Sequence, residues 1–213
     1  MNKSQIIKKT AKFARNYFKG DSSGHDWWHT FRVWNLAKKI AKKEKGADLF
    51  IIELAALLHD VDDWKLRIVN NKTEKWLDKL KIQKETKKHI LEITKDLSFK
   101  GAGVKSKIKT LEGKIVQDTD RLDAIGALGI SRAFAFGGSR NREIYNPAIK
   151  PIMHKTFESY KNNNNSSVNH FYEKLLLLKD LMNTNAARKI ANQRHKYMEN
   201  FLKQFFNEWN NKK

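Results

Sequence analysis

Apolar residues recur at helical spacing along almost the whole chain. Residues 4–18 carry an apolar stripe, and residues 26–45 repeat apolar positions at three- and four-residue steps, as amphipathic helices do. Residues 47–60 are nearly all apolar, which is typical of a helix in the middle of a bundle. We expect Gly20 and Gly46 to end the first two helices.

The second half of the chain continues this pattern. Further helices are predicted at 72–81, 83–97, 106–118, 119–134, 166–182 and 185–209. The segment AFGGSRNREIYNPAIKP, residues 135–151, holds adjacent glycines and both prolines, so it is predicted to be a loop and a candidate lid. No strand pattern of period two is evident, and the sequence therefore predicts an all-α fold.

The length and composition favour one folded domain. The chain has 213 residues, of which 40% are hydrophobic, and this is enough to bury a sizeable core. We expect a core over about 20–135, the loop at 135–151, and two C-terminal helices within 152–211 that pack on the core. Residues 1–213 are therefore treated as a single domain.

The N-terminal sequence and the longest apolar run favour a cytoplasmic protein. The N-terminal stretch MNKSQIIKKTAKFARNYF alternates basic and apolar residues, so it does not look like a signal peptide. The longest apolar run, LFIIELAALL at 49–58, is interrupted by Glu53 and is too short to cross a bilayer. We expect no membrane partner and a cytoplasmic location.

The large excess of basic over acidic residues is the main electrostatic feature of the chain. Lysine and arginine total 43 against 23 acidic residues, which gives a formal charge of +20. Such a charge favours association with polyanions such as nucleotides, nucleic acid or anionic lipid, but it carries no specificity. A generally lysine-rich composition explains the same number equally well.

Histidine and aspartate residues occur in three apolar segments of the sequence. His25 and His29 lie four residues apart in HDWWHTFRV, where both can face one side of a helix. His59 and Asp60 are adjacent in AALLHDVDDWK, and Asp120 lies in VQDTDRLDAIG, at the expected start of another helix. Three helices can thus bring nitrogen and carboxylate groups toward one point.

This donor set predicts a divalent metal ion. The chain has no cysteine, so any metal must take nitrogen and oxygen ligands. Two imidazoles and two carboxylates suit manganese, magnesium, cobalt, nickel, iron or zinc, with positions left for water and substrate. Only one of His25 and His29 need be a ligand. The other interpretation of His25 is a helix cap or hydrogen-bonding group, or a donor to a substrate phosphate.

The order His29, His59-Asp60, Asp120 resembles the H…HD…D signature of the HD-domain metal-dependent phosphohydrolases. The strings DWWHTFRVW, LLHDVDDWK, QDTDRLDAIGALGISRAFAFGG and NHFYEKLLLLKDLMNT…RHKYM resemble one bacterial branch of that superfamily over nearly the whole chain. Some members of the branch act as nucleoside triphosphate pyrophosphohydrolases. The resemblance implies an HD-type helical bundle with His29, His59, Asp60 and Asp120 as metal ligands.

The resemblance also implies a reaction. We expect a metal-activated water to hydrolyse a nucleoside triphosphate to the monophosphate and pyrophosphate. Asp63 stands where related HD enzymes place an acidic residue that orients or deprotonates this water, and Asp62 is the rival candidate. A 5′-nucleotidase, a cyclic-nucleotide phosphodiesterase or a guanosine tetraphosphate hydrolase uses much the same metal set, so these remain alternatives.

Binding the phosphates of such a substrate requires cationic side chains. The candidates are Lys65, Arg121, Arg140, Lys174, Lys179 and Arg194. Their other interpretation is an ordinary solvated surface. A different class of function is a basic nucleic-acid-binding protein on an HD scaffold, and a third is a purely structural helical partner. A homo-oligomer is compatible with all of these.

Overall fold

The computed structural model describes residues 1–20, 24–63, 71–163 and 165–212. Within these ranges the regular elements are ten α-helices and one 3₁₀ helix, and no strand occurs there. The α-helices are α1 Lys3–Tyr17, α2 Trp27–Ala41, α3 Leu49–Leu58, α4 Lys72–Leu80, α5 Lys84–Asp96, α6 Leu111–Asp123, α7 Gly126–Ser139, α8 Phe157–Lys161, α9 Asn169–Glu173 and α10 Asn185–Trp209. The 3₁₀ helix spans Leu175–Leu181. The predicted all-α fold is confirmed.

The chain forms two compact units. Unit 1 comprises Met1–Phe99 and Lys105–Thr119, and unit 2 comprises Lys100–Val104 and Asp120–Lys213. The expectation of a single domain stays a prediction. In the described ranges no helix is both long and apolar enough to cross a membrane.

Helix α3 lies at the centre of unit 1. Its residues are apolar on nearly every side, and Ile52, Leu54 and Leu57 are fully buried. It packs against α1, α2 and α5. The carboxylate of Asp48 caps its first turn by accepting hydrogen bonds from the backbone N–H groups of Phe50 and Ile51. The predicted central apolar helix is therefore confirmed, and its last residue leads directly into His59.

Helix α2 ends earlier than predicted. It stops at Ala41 rather than near residue 45, because the next backbone N–H groups bond three residues back and tighten the chain into a turn. The N–H of Lys43 donates to the carbonyl of Ile40 at 2.8 Å. Gly46 follows with φ 86°, a backbone conformation that favours glycine.

The predicted break between residues 118 and 119 is wrong. Helix α6 begins after Thr110, whose hydroxyl accepts from the N–H of Gly113, and it continues to Asp123. The chain turns only at Ala124 and Ile125, and Gly126 then adopts φ 77°. Asp120 therefore lies in the last turn of α6 and not at the start of another helix.

The C-terminal part of the chain is more divided than predicted. Residues 166–182 form α9 and the 3₁₀ helix rather than one helix, and α8 was not predicted. Helix α10 matches the predicted range 185–209. In unit 2 it packs against α7 and the 3₁₀ helix, and the ring of Phe171 stacks on Phe201 at a centroid distance of 5.8 Å.

The predicted loop at 135–151 begins later than expected, because α7 extends to Ser139. Backbone bonds join Ser167 to Glu143 and Val168 to Ile144, and the buried carboxylate of Glu173 accepts from the N–H of Ile152 at 3.0 Å. The loop is thus tied to the segment around α9. Its role as a lid stays a prediction.

Candidate metal centre

Three histidine rings surround one carboxylate oxygen in unit 1. Oδ2 of Asp60 lies 2.8 Å from Nδ1 of His25, 3.2 Å from Nε2 of His29 and 3.4 Å from Nε2 of His59. The two Nε2 atoms of His29 and His59 are 3.1 Å apart. All four side chains are buried. Side chains from two separate parts of the sequence therefore meet at one point, as the motif spacing predicts.

The start of α2 positions two of these histidines. The carboxylate of Asp26 caps the helix by accepting from the N–H of His29 at 2.8 Å, so His29 stands in the first turn. His25 precedes the cap by one residue, and Gly24 before it has φ 87°. This turn brings the His25 ring to the same side as the His29 ring, and their centroids are 5.9 Å apart.

The end of α3 positions His59 and Asp60. Nδ1 of His59 lies 2.8 Å from the carbonyl oxygen of Ala56, so this nitrogen carries the hydrogen and donates it. In the neutral ring Nε2 then presents a lone pair toward His29. Histidines that bind metals commonly have their second nitrogen fixed in this way.

The environment of Asp60 keeps its carboxylate ionised. Burial raises the pKa of the carboxyl, but the interactions of the ionised form with the surrounding imidazoles of His59, His25 and His29 outweigh that effect. The pKa of Asp60 is therefore held well below its usual value. An anionic oxygen beside imidazole nitrogens is a suitable ligand for a divalent cation.

Asp120 is the fourth predicted ligand. It directly follows Thr119 in the continuous helix α6, and its role as a ligand stays a prediction. Within unit 1, ring nitrogens of His25 and His29 and a carboxylate oxygen of Asp60 all lie within 4.8 Å of one another.

The distances fit a shared divalent ion. Nitrogen and oxygen ligands lie about 2.1 Å from zinc-sized ions, so neighbouring ligand atoms on one ion are roughly 3.0 to 3.4 Å apart. The triangle of His29 Nε2, His59 Nε2 and Asp60 Oδ2 has edges of 3.1, 3.2 and 3.4 Å. Two facing imidazole nitrogens beside an ionised carboxylate are thus spaced as ligands.

Asp62, one of the two predicted catalytic acids, has a structural contact. Its carboxylate oxygens accept from the backbone N–H groups of Lys72 and Thr73 at 3.0 and 2.9 Å. These groups belong to the first turn of α4, whose own N-cap residue Asn71 provides no side-chain hydrogen bond. Asp62 therefore caps α4 from a distant part of the sequence.

Replacing Asp62 by alanine is expected to lower the free energy of unfolding by about 1 kcal/mol, because two N–H groups of α4 lose their acceptors. Urea unfolding followed by circular dichroism measures this loss. We expect turnover of the folded variant to remain near that of the wild type. A large fall in kcat with an unchanged unfolding midpoint contradicts the capping role.

Asp63, the other predicted acid, is buried beside the end of α5. Its Oδ2 accepts a hydrogen bond of 2.5 Å from the hydroxyl of Ser98. The N–H of Asp63 also donates to the carbonyl of Asp60 at 3.1 Å, so the turn after α3 fixes both aspartates together. Ser98 was not identified from the sequence, since a single serine 35 residues from its partner gives no periodic signal.

The predicted phosphate-binding residues have diverse surroundings. Lys65 lies outside the described residues. In unit 2, Arg121 and Arg194 donate to the carbonyls of Leu181 and Leu122. The guanidinium of Arg140 lies over the ring of Phe136. Lys174 directly follows the last residue of α9. The Nζ atom of Lys179 lies 3.9 Å from a carboxylate oxygen of Asp180.

Comparisons with known proteins identify the family. The profile of the family described as HD domain matches residues 27–125. YpgQ of Bacillus subtilis is 42% identical over 189 residues, which cover 86% of this chain and 84% of YpgQ. The sequence resemblance to HD proteins therefore has independent support.

Solved structures extend the likeness over the whole fold. A crystal structure from Lactobacillus plantarum has a TM-score of 0.88 and 37% identity, and the match covers 99% of both chains. An HD-superfamily hydrolase from Bacillus thuringiensis has a TM-score of 0.73 and 44% identity, covering 98% of this chain and 99% of that one. The crystal structure of B. subtilis YpgQ in complex with ADP has a TM-score of 0.71 and 37% identity, covering 93% and 97%. The chain belongs to the HD-domain family and is a metal-dependent phosphohydrolase of the HD superfamily.

Proposed function

We propose that this enzyme hydrolyses a nucleoside triphosphate to the monophosphate and pyrophosphate, with one divalent ion held by His29, His59, Asp60 and Asp120. The observation that carries the proposal is the buried triangle of two imidazole nitrogens and one ionised carboxylate at ligand spacing. Manganese, magnesium, cobalt, nickel, iron and zinc all accept such donors.

Two features support a nucleotide as the substrate. YpgQ, which shares most of its length with this chain, has been crystallised with ADP. The formal charge of +20 also favours the approach of a polyphosphate, because a cationic surface raises the local concentration of anions. A small phosphorylated molecule is therefore favoured over a neutral substrate.

The chain offers a candidate acid–base group three residues after a proposed ligand. A bound divalent ion lowers the pKa of its water and polarises a phosphoryl oxygen. We assign to Asp63 the removal of the proton from the attacking water, because its buried carboxylate follows Asp60 by three residues and is oriented by Ser98. Asp62 is disfavoured for this role because both of its oxygens cap α4.

Cationic side chains would hold the phosphates of the substrate. Arg121 and Arg194 remain candidates, because a guanidinium has five N–H donors and the bond to a backbone carbonyl orients the group. Arg140, Lys174, Lys179 and Lys65 complete the proposed set. Each is expected to affect KM more than metal binding, since each would act on the substrate and not on the ion.

Incubating the protein with a panel of nucleotides and each of several divalent metals tests the substrate. We expect nucleoside monophosphate and pyrophosphate in equal amounts, with no product after chelation. Anion-exchange chromatography separates both products and identifies the preferred base. The Asp60→Ala variant, checked for folding by circular dichroism, provides the inactive control.

Other products favour the alternatives. Orthophosphate alone indicates a phosphomonoesterase such as a 5′-nucleotidase, and guanosine tetraphosphate or cyclic nucleotides in the panel test the remaining HD activities. Binding of a labelled oligonucleotide that disappears with modest salt, without turnover of any nucleotide, favours a nucleic-acid-binding protein on an HD scaffold.

A further inference from the structure

His25 contacts the metal centre without belonging to the proposed ligand set. Its Nδ1 lies 2.8 Å from Oδ2 of Asp60, and about a tenth of its side chain is exposed. The 2.8 Å contact is a hydrogen bond in which the carboxylate oxygen is the acceptor, so Nδ1 of His25 carries the hydrogen and donates it. The ring therefore binds the oxygen that also faces His29 and His59.

The distances separate His25 from the ligands. The contacts among His29, His59 and Asp60 are 3.1 to 3.4 Å, which is the spacing of atoms that share an ion. The contact of His25 is shorter, at 2.8 Å, and has the length of a charge-assisted N–H···O hydrogen bond. A protonated nitrogen engaged in such a bond has no lone pair for a metal.

The contacts of His29 argue against a second metal site made of His25, His29 and Asp60, which we call the His25 group. Nε2 of His29 faces both Nε2 of His59 and Oδ2 of Asp60, the oxygen that His25 also contacts. The single lone pair of this Nε2 can bind one ion. The His25 group is therefore better explained as support for one ion than as a second metal site.

We propose that His25 is a positioning residue of the metal centre, and this inference rests on the proposed ligand set. Its Nδ1–H holds Oδ2 of Asp60 in place, so the carboxylate does not need to be reoriented when the ion binds. Removing such an outer partner typically weakens metal affinity about 10- to 100-fold. His25 thus sets the affinity of a centre that it does not itself ligate.

Two variants test this role in the metal-free full-length protein. His25→Ala removes the donor, and His25→Asn keeps an N–H group near the position of Nδ1. Titration with Mn²⁺ is expected to give about a 10- to 100-fold weaker Kd for His25→Ala, and His25→Asn is expected to recover most of the affinity. The visible absorption of the Co²⁺-loaded protein is expected to be the same in the wild type and His25→Asn, with one ion per chain.

The controls separate this inference from a general loss of structure. His89→Ala removes a histidine on α5 that bonds to Thr110 and is expected to leave the Mn²⁺ affinity unchanged. Circular dichroism of the metal-free variants checks that each is folded. These metal titrations use no nucleotide, so their result does not depend on the identity of the substrate. If the folded wild type binds one ion but hydrolyses no triphosphate, only the proposed substrate is contradicted.

Four outcomes overturn the inference. Equal Mn²⁺ affinity of His25→Ala and the wild type removes any positioning role. A Co²⁺ spectrum that changes in His25→Asn, with affinity as weak as in His25→Ala, makes His25 a ligand. Two ions per wild-type chain, of which His25→Asn loses one, make the His25 group a second metal site. Absence of any metal binding by the wild type contradicts both this inference and the proposed function.

Discussion

Replacing His59 by alanine is expected to abolish metal-dependent hydrolysis and to weaken divalent-metal binding by more than about 100-fold. A loss of about 100-fold is the upper end of the range for removing a residue that only hydrogen-bonds to a metal ligand, and removing a ligand costs more. The ring presents Nε2 toward His29 and Asp60, while Nδ1 is fixed by the carbonyl of Ala56. Alanine therefore removes a preoriented ligand and leaves the ionised carboxylate of Asp60 with one neighbour fewer. Metal content after dialysis and kcat/KM with a nucleoside triphosphate measure the two effects.

The fold is expected to survive this change. His59 follows the last residue of α3, and the core of that helix lies in its leucines, isoleucines and alanines. Losing the bond to Ala56 costs about 1 kcal/mol, which urea unfolding of the metal-free protein can detect. Full metal content together with full activity in the variant contradicts the assignment of His59 as a ligand.

The apolar pattern predicted the elements whose faces are clearly divided between core and solvent. Helices α1 and α10 follow the predicted ranges closely, because their amphipathic stripes are uninterrupted. Helix α3 was predictable for the opposite reason, since a short segment that is apolar on all sides can be stable only inside a bundle. Tertiary packing and local sequence agree in these segments.

The boundary between α6 and α7 shows where local sequence misleads. Asp118, Thr119 and Asp120 are residue types common at helix N-caps, and the two predicted helices meet at residues 118 and 119. In the structure Asp118 and Thr119 are fully buried within the helix, and the Thr119 hydroxyl donates to the carbonyl of Val116 at 2.8 Å. A polar side chain satisfied by its own helix does not end that helix.

The site was predictable in its residue types but not in its supporting contacts. The sequence carries the proposed ligand types in order along the chain, as His29, His59-Asp60 and Asp120. The bonds from His25 to Asp60 and from Ser98 to Asp63 each join residues 35 positions apart. The periodicity of apolar residues in the sequence does not reveal such pairs, because they form only when turns and helix ends meet in three dimensions.

Replacing Asp63 by asparagine is expected to lower kcat by roughly 10²- to 10⁴-fold, the usual contribution of a general acid or base. Asparagine has nearly the same shape, and its amide oxygen can still accept from Ser98, so the packing of this buried position is preserved. It cannot take a proton from water. The Mn²⁺ affinity and the unfolding midpoint are therefore expected to stay close to those of the wild type.

Asp62→Asn is the matched control, because it makes the same chemical change one residue earlier in the turn. An asparagine there keeps one acceptor for the N–H groups of α4 and is expected to cost some stability but little kcat. Single-turnover rates of both variants, measured with saturating metal and nucleotide, compare them directly. If Asp63→Asn retains its rate while Asp62→Asn loses it, the general base is Asp62, and the capping contact of Asp62 must then break when substrate binds.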